Sequence, residues 1–308
     1  MHPRPSVLGI AALVVSLIAC ERGDETASTP SGAGSARVPI RGVIRDDFGD
    51  SLTLGAPPAR IVSLNPATTE LFFALGAGAR LVGRTRYDLY PAEALGVPDL
   101  GNGMRPNLEA VLGVSPDLVV LYASNENRDA ATRLRAAGVP TLTLRIDSIA
   151  EFRRAVMTLG RVLDDTVTAR VVVDSVERTL ARVRAATHRG PRPATFWKAW
   201  DSPVIAIGGG SFLTELVEIA GGRNVYGDDP RPSLDVTIED VVRRDPDVVL
   251  AGPESAERMR AAPAWRALRA VREGRVLVVD TMLVGRPEVR LGEAAVSLAR
   301  LLHPGSIP

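Results

Sequence analysis

The sequence is short of the residues that build covalent and metal cross-links. Its 308 residues hold one cysteine, Cys20, which excludes an intrachain disulfide and a thiolate metal cluster. Three histidines, His2, His188 and His303, stand far apart, which points away from a metal held by several imidazoles. Lys198 is the only lysine, a bias we read as base composition rather than chemistry. The formal net charge of +1 calls for no nucleic-acid or other strongly charged partner. Nucleotide loops are missing as well. Gly208-Gly209-Gly210-Ser211 has Leu213 where a dinucleotide fingerprint needs a glycine, and the chain has no Gly-Lys-Ser/Thr loop there. A hydrolase or oxidoreductase on a doubly wound fold would also need a Gly-x-Ser-x-Gly elbow or a metal-ligand cluster. No catalytic residue, resident cofactor or metal is expected.

What the chain does have is a stretch used twice. Residues 107–120 read NLEAVLGVSPDLVV and residues 237–250 read TIEDVVRRDPDVVL. At a constant offset, Glu109 meets Glu239, Val111 meets Val241 and Asp117 meets Asp247. Thr69-Glu70-Leu71 and Thr214-Glu215-Leu216 form a second pair, each running into a Gly-rich helix end. Two similar halves predict two similar lobes. Within each copy, Asn107 or Thr237 can cap a short helix, and Glu109 or Glu239 sits in its first turn, where the dipole favours a carboxylate. Ser115-Pro116 and Asp245-Pro246 stop the helix, and an all-apolar run then reads as a buried parallel strand.

The amino terminus has a basic start at Arg4, a short apolar run and Leu17-Ile18-Ala19-Cys20. This is a secretory signal rather than a membrane span, and it resembles the lipobox of bacterial lipoproteins, which implies lipidation at Cys20. Residues 21–40 are Ser/Gly/Ala-rich and read as a flexible tether. Beyond it, the pattern assigns 41–160 to a first α/β lobe, 161–190 to a bridging helix and 191–308 to a second α/β lobe. Gly42 to Leu54 reads as a hairpin, and Asn65-Pro66 turns a buried strand into a helix. From Glu151 to Thr187 the apolar period continues with no strong breaker before Gly190-Pro191, predicting one long helix. Tyr87 and Tyr90 lie on a strand-exit loop, where open α/β sheets bind ligands; either could instead pack that loop on the body.

Arg60-Ile61-Val62-Ser63-Leu64-Asn65-Pro66-Ala67-Thr68-Thr69-Glu70-Leu71 resembles the opening signature of periplasmic binding proteins for cobalamin and ferric siderophores. Asn107-Leu108-Glu109, Pro116-Asp117-Leu118-Val119, residues 208–212 and Ala220-Gly221-Gly222-Arg223-Asn224-Val225 carry the same resemblance, across residues 40–303. It implies two Rossmann-like lobes joined by a single long helix, with the ligand in the cleft between them. It implies an ABC permease and its ATPase as partners; with the balanced charge and the lipobox, a lipid-anchored monomer without a nucleic-acid partner is expected. Glu109 and Glu239 match the surface glutamates that dock on the permease. Asn65, Tyr87, Tyr90, Ser211, Arg286 and Trp200 or Trp197 match the ligand cleft, and Arg290 is a second basic group near it; the two arginines could equally be solvated or paired with Glu288 and Glu293. The cobalamin-binding members have tryptophans where Gly103 and Ser233 stand here. Cobalamin or a related corrinoid is the expected ligand, with a ferric siderophore or haem as the alternative.

Overall fold

Both copies of the repeated stretch fold as the pattern predicts. In the computed structural model, which describes residues 42–305, Asn107 caps one helix by accepting from the Glu109 and Ala110 N–H groups. Thr237 caps its counterpart by accepting from Asp240 N–H. Each helix ends in a left-handed residue before proline, Ser115 with φ 45° and Asp245 with φ 40°. Each following aspartate then pins a neighbouring strand. Asp117 accepts from Arg60 N–H at 2.9 Å and Asp247 from Ala194 N–H at 2.8 Å. The repeat is thus a cap, a stop and a strand clamp. Cys20, the signal and the tether lie outside the described residues.

The first lobe starts with a hairpin, β1 (Ile44–Arg45) and β2 (Ser51–Leu52), then β3 (Ile61–Leu64), α1 (Pro66–Ala74) and β4 (Leu81–Gly83). It continues through α2 (Leu108–Gly113), β5 (Leu118–Tyr122), α3 (Arg128–Ala136), β6 (Thr141–Leu144) and α4 (Ile149–Val162). Its main sheet is all parallel, in the order β4-β3-β5-β6. The helix α5 (Thr166–Thr187) leads to the second lobe, which opens with β7 (Ala194–Trp200), β8 (Ile205–Ile207), α6 (Phe212–Ile219) and β9 (Arg223–Asn224). There follow β10 (Ser233–Asp235), α7 (Ile238–Arg244), β11 (Val248–Ala251), α8 (Pro253–Ala261) and α9 (Arg269–Arg272). The last elements are β12 (Val276–Val278), α10 (Thr281–Val284) and α11 (Leu291–Leu302). This second sheet runs β10-β8-β7-β11-β12. It is parallel about β11, but β8 and β10 are antiparallel.

The predicted helix from Glu151 to Thr187 is two helices. Leu163, Asp164 and Asp165 separate α4 from α5, with Asp164 left-handed at φ 58°. Asp165 caps α5 by accepting from Thr168 N–H and its hydroxyl. A Cβ on Gly160 would meet that of Ala169 at 2.4 Å, so glycine lets the two helices fold against each other. The bridge is therefore α5 alone. It buries Ala169, Val176, Leu180 and Val183. One apolar cluster runs from Leu71 and Phe152 in the first lobe through these residues to Leu216 and Leu298 in the second.

The triple glycine also has a sharper reason than a tight turn. None of Gly208, Gly209 and Gly210 has a positive φ. A Cβ on Gly208 would stand 2.2 Å from Arg231 O, and one on Gly210 at 2.2 Å from Pro230 O. The β8–α6 turn and the loop before β10 approach backbone to backbone, and only glycine admits that. Gly208→Ala is expected to destabilise the protein by roughly 2–3 kcal/mol, the usual cost of overpacking, read as a lowered midpoint in thermal unfolding.

Candidate functional site

Four strands of the first sheet end at one place. Asn65 follows β3, Thr85 and Tyr87 follow β4, Tyr122 ends β5, and Ile146 and Asp147 follow β6. All of them line one cavity of about 620 Å³. The second lobe closes it with Ser211 and Phe212 at the start of α6 and with Arg286 and Pro287 beyond α10. The carboxyl edge of a parallel sheet is where such folds hold ligands, because the loops there are free to diverge. A larger groove, about 730 Å³, lies between α5 and α11, away from both sets of strand ends. We therefore take the inter-lobe cavity as the site.

Its polar groups are held in place. Asn65 caps α1, accepting from Ala67 N–H at 3.1 Å, and Ser211 caps α6, accepting from Leu213 N–H at 3.2 Å. Tyr87 is exposed on its loop, which a residue the sequence reading missed fixes to α1. Buried Asp88 accepts from the Thr69 hydroxyl at 2.5 Å and from the Thr85 hydroxyl, whose oxygen in turn accepts from Tyr87 N–H. Burial raises the Asp88 pKa, and the hydrogen bonds from Thr69 and Thr85 oppose that rise. Tyr122 was missed too. Its hydroxyl donates to both carboxylate oxygens of Asp147, at 2.8 and 2.9 Å. Burial first, and Asp147 second, push the phenol up to about 12, so it stays a donor.

Other expected residues stand elsewhere. Tyr90 does not line the cavity; it lies beneath Arg290, whose guanidinium carbon is 4.1 Å from the ring centre. Trp197 is 5 % exposed and belongs to the main core. Trp200 is 61 % exposed. Both border a second hollow of about 440 Å³ on the second lobe, at the ends of β7 and β11. Beneath it, fully buried Lys198 donates to Asp201 and, at 2.7 Å, to the Ser255 hydroxyl. Burial pushes the Asp201 carboxyl up, but hydrogen bonds from Arg258 and Lys198 outweigh it and bring it to about 2. The two hollows meet the two ends of α10: Thr281 lines the second, and Gly285 lines the cavity.

The positions of the family's tryptophans are also settled by geometry. A Cβ on Gly103 would lie 2.2 Å from Leu64 O, so this backbone has no room for any side chain there. Ser233 is an exposed residue of β10.

A charge cluster around buried Glu70 and Glu288 joins the lobes. Glu70 on α1 faces Glu288 and Arg290, which precede α11. Arg290 comes within 3.9 Å of Glu70, and Arg286 donates to Glu288 at 3.2 Å. Burial and then the Glu288 carboxylate push Glu70 up to about 9, against the pull of both arginines.

A protein-family model described as "periplasmic binding protein" matches residues 61–282. The chain belongs to the periplasmic binding protein family. Among relatives of this periplasmic binding protein, a cobalamin-binding protein of Halobacterium salinarum is 30% identical over 85% of this chain and 74% of its own. An uncharacterized ABC transporter substrate-binding lipoprotein of Bacillus subtilis, YvrC, is 29% identical over 85% of each chain. Among solved structures, the periplasmic haem-binding protein RhuT of Roseiflexus superposes with a TM-score of 0.72 at 24% identity, covering 80% of this chain and 98% of that one. Glu109 and Glu239 occupy equivalent exposed positions in the first turns of α2 and α7, and neither joins an ion pair among the described residues.

Proposed function

We propose that this protein is the extracytoplasmic substrate-binding component of an ABC importer, captures cobalamin or a related corrinoid, and is held to its membrane by a lipid on Cys20. The convergence of four strand ends with two aromatic side chains, Tyr87 and Tyr122, on a cavity closed by Phe212 of the other lobe carries this reading. Such a site suits a broad, largely apolar ring system with polar edges. The name of the Halobacterium relative supports the corrinoid, and that of YvrC supports the anchor. A second hollow at the other end of α10, walled by Trp200, offers a place for a group that projects from such a ring. Haem is the second reading, favoured by Arg286 in the cavity wall and by the fold shared with RhuT.

Calorimetric titration with cyanocobalamin, haem and ferric siderophores tests the assignment. One-to-one binding of cyanocobalamin is the expected result, and binding of haem or a siderophore in its place would move the ligand. Tyr87→Ala is expected to weaken affinity about tenfold, as the loss of an aromatic contact does. Tyr90→Ala should weaken it less, because that ring already lies under Arg290. Equal effects of the two substitutions would count against the placement of the ligand beside Tyr87.

A further inference from the structure

The outer face of α5 belongs to neither hollow: none of its residues lines the inter-lobe cavity or the space beside Trp200. Val167, Val171, Arg178, Ala181, Arg182 and Ala185 are all exposed there, at the spacings that put them on one line of a helix. The two valines are 75 % and 59 % exposed. Arg178, Thr179 and Arg182 line a shallow groove of about 660 Å³, and Arg184 and Arg189 are exposed beside it. The helix dipole accounts for Arg184 in the last turn, but not for Arg178 and Arg182 farther back. None of these four arginines joins an ion pair among the described residues; Arg182 donates to the Thr179 hydroxyl, and Glu177 is taken by Arg153. Neighbouring charge does not cancel them. Glu215, Glu218 and Glu293 are matched in number by Arg192, Arg223 and Arg300, and Asp174 by Arg170. Asp164 and Asp165 lie at the other end of the helix, about 20 Å or more from Arg178. The carboxyl half of α5 therefore presents a surplus of positive charge.

We propose that this face of α5 is a surface on which the protein rests on anionic phospholipid, with the arginines at the headgroup phosphates and Val167 and Val171 at the apolar boundary. Planar guanidinium groups pair well with phosphate oxygens, and basic groups flanking exposed apolar ones are what a helix lying in a membrane interface carries. The entry of the chain points to the same partner. Gly42, where the described fold begins, lies against Arg161, which donates to Val43 O at 3.2 Å just before the turn into α5. The 22 residues from Cys20 to Gly42 span at most about 75 Å, so a lipid on Cys20 would hold α5 within reach of the bilayer. Such a tether makes a weak surface contact effective by raising its local concentration. The inference rests on the lipid-anchor reading only for which surface α5 meets. It uses no residue of the cavity wall and neither Glu109 nor Glu239.

The test is co-sedimentation with large vesicles, using the chain from residue 21 onward, which keeps every described residue and carries no lipid. The vesicles are phosphatidylcholine alone, or phosphatidylcholine with about one-third phosphatidylglycerol. The anionic vesicles should bind the protein at least about tenfold more strongly at low salt, and about 0.5 M salt should erase the difference. An arginine near such a surface is worth about fivefold in affinity, so Arg178→Glu with Arg182→Glu should weaken binding by roughly thirtyfold or more. Val167→Ser with Val171→Ser should weaken it about severalfold through lost apolar contact. Exposed Arg133 and Arg266 supply the control: Arg133→Glu with Arg266→Glu changes the net charge equally on other faces and should leave binding near that of wild type. Thermal unfolding checks that each variant is folded.

Equal binding to the two kinds of vesicle, or none to either, overturns the proposal. So does a folded Arg178→Glu, Arg182→Glu variant that binds like wild type. An equal loss in the control variant assigns the effect to net charge and removes α5 from the role. Because the chain tested carries no lipid, any of these failures leaves the anchor on Cys20 and the transport reading standing.

Discussion

Glu70→Gln is expected to reduce the loss of stability as pH rises between 4.5 and about 9. The Glu70 pKa is raised from 4.5 to about 9 in the folded protein, so the folded state holds a proton that the unfolded chain releases. Stability from this group is complete below pH 4.5 and is lost as pH rises through about 9. One pKa unit is worth about 1.4 kcal/mol, so the loss over this window is on the order of several kcal/mol. Gln keeps a neutral partner for Glu288 and has no proton to lose. At pH 9 the variant should therefore melt higher than wild type, by roughly 5–10 °C for a chain of this size, and the two should converge near pH 5. Parallel melting curves across that range would mean that Glu70 is ionised in the native protein and the cluster is an ordinary set of ion pairs.

Simultaneous reversal of Glu109 and Glu239 to Arg should lower transporter-dependent uptake at least roughly tenfold while leaving ligand affinity unchanged. The two carboxylates stand at matching exposed positions, one per lobe, and neither lines the cavity. Each adds only a few tenths of a kcal/mol to about 1 kcal/mol to its own helix through the dipole, so the fold should survive the change. Charge reversal at a docking surface turns attraction into repulsion, with a loss of this size or greater in a complex that depends on the pair. Uptake of labelled ligand in cells, alongside titration of the purified variant, provides the two readouts. Normal uptake by the double variant would remove these residues from docking.

Much of this architecture is written in local chemistry, and local chemistry is what a sequence exposes. Asn65, Asn107, Ser211 and Thr237 are legible as helix caps because a cap needs only a side-chain oxygen two or three residues before a free N–H. The parallel strands after Pro116 and Pro246 are legible because a strand covered on both faces has no polar phase. The break between α4 and α5 was missed because both helices pack on the same core, so the apolar period passes through the turn uninterrupted. Its only mark is Asp164-Asp165-Thr166, a cap signature inside a periodic run. Trp197 and Trp200 share β7, but the strand passes from its buried to its exposed part between them, across a register shift at Lys198–Trp200 that no sequence pattern marks. Tyr122 and Asp147 carry no motif. They could be found only from the rule that ligands sit beyond strand ends. The Glu70 cluster lay beyond reach, since its partners on the second lobe meet it only through the fold.

The apolar cluster that passes through α5 makes the two lobes mechanically one object. Binding proteins whose lobes are joined by flexible strands close like a hinge on their ligand, and such a joint can reopen by its own thermal motion. Here Val176, Leu180 and Val183 fill the place of a compliant joint. A stiff receptor takes in its cargo without storing elastic work, and nothing inside it then pushes the cargo out. Release becomes work done on the receptor from outside. On the importer reading proposed above, that work comes from the ATPase, acting through the permease.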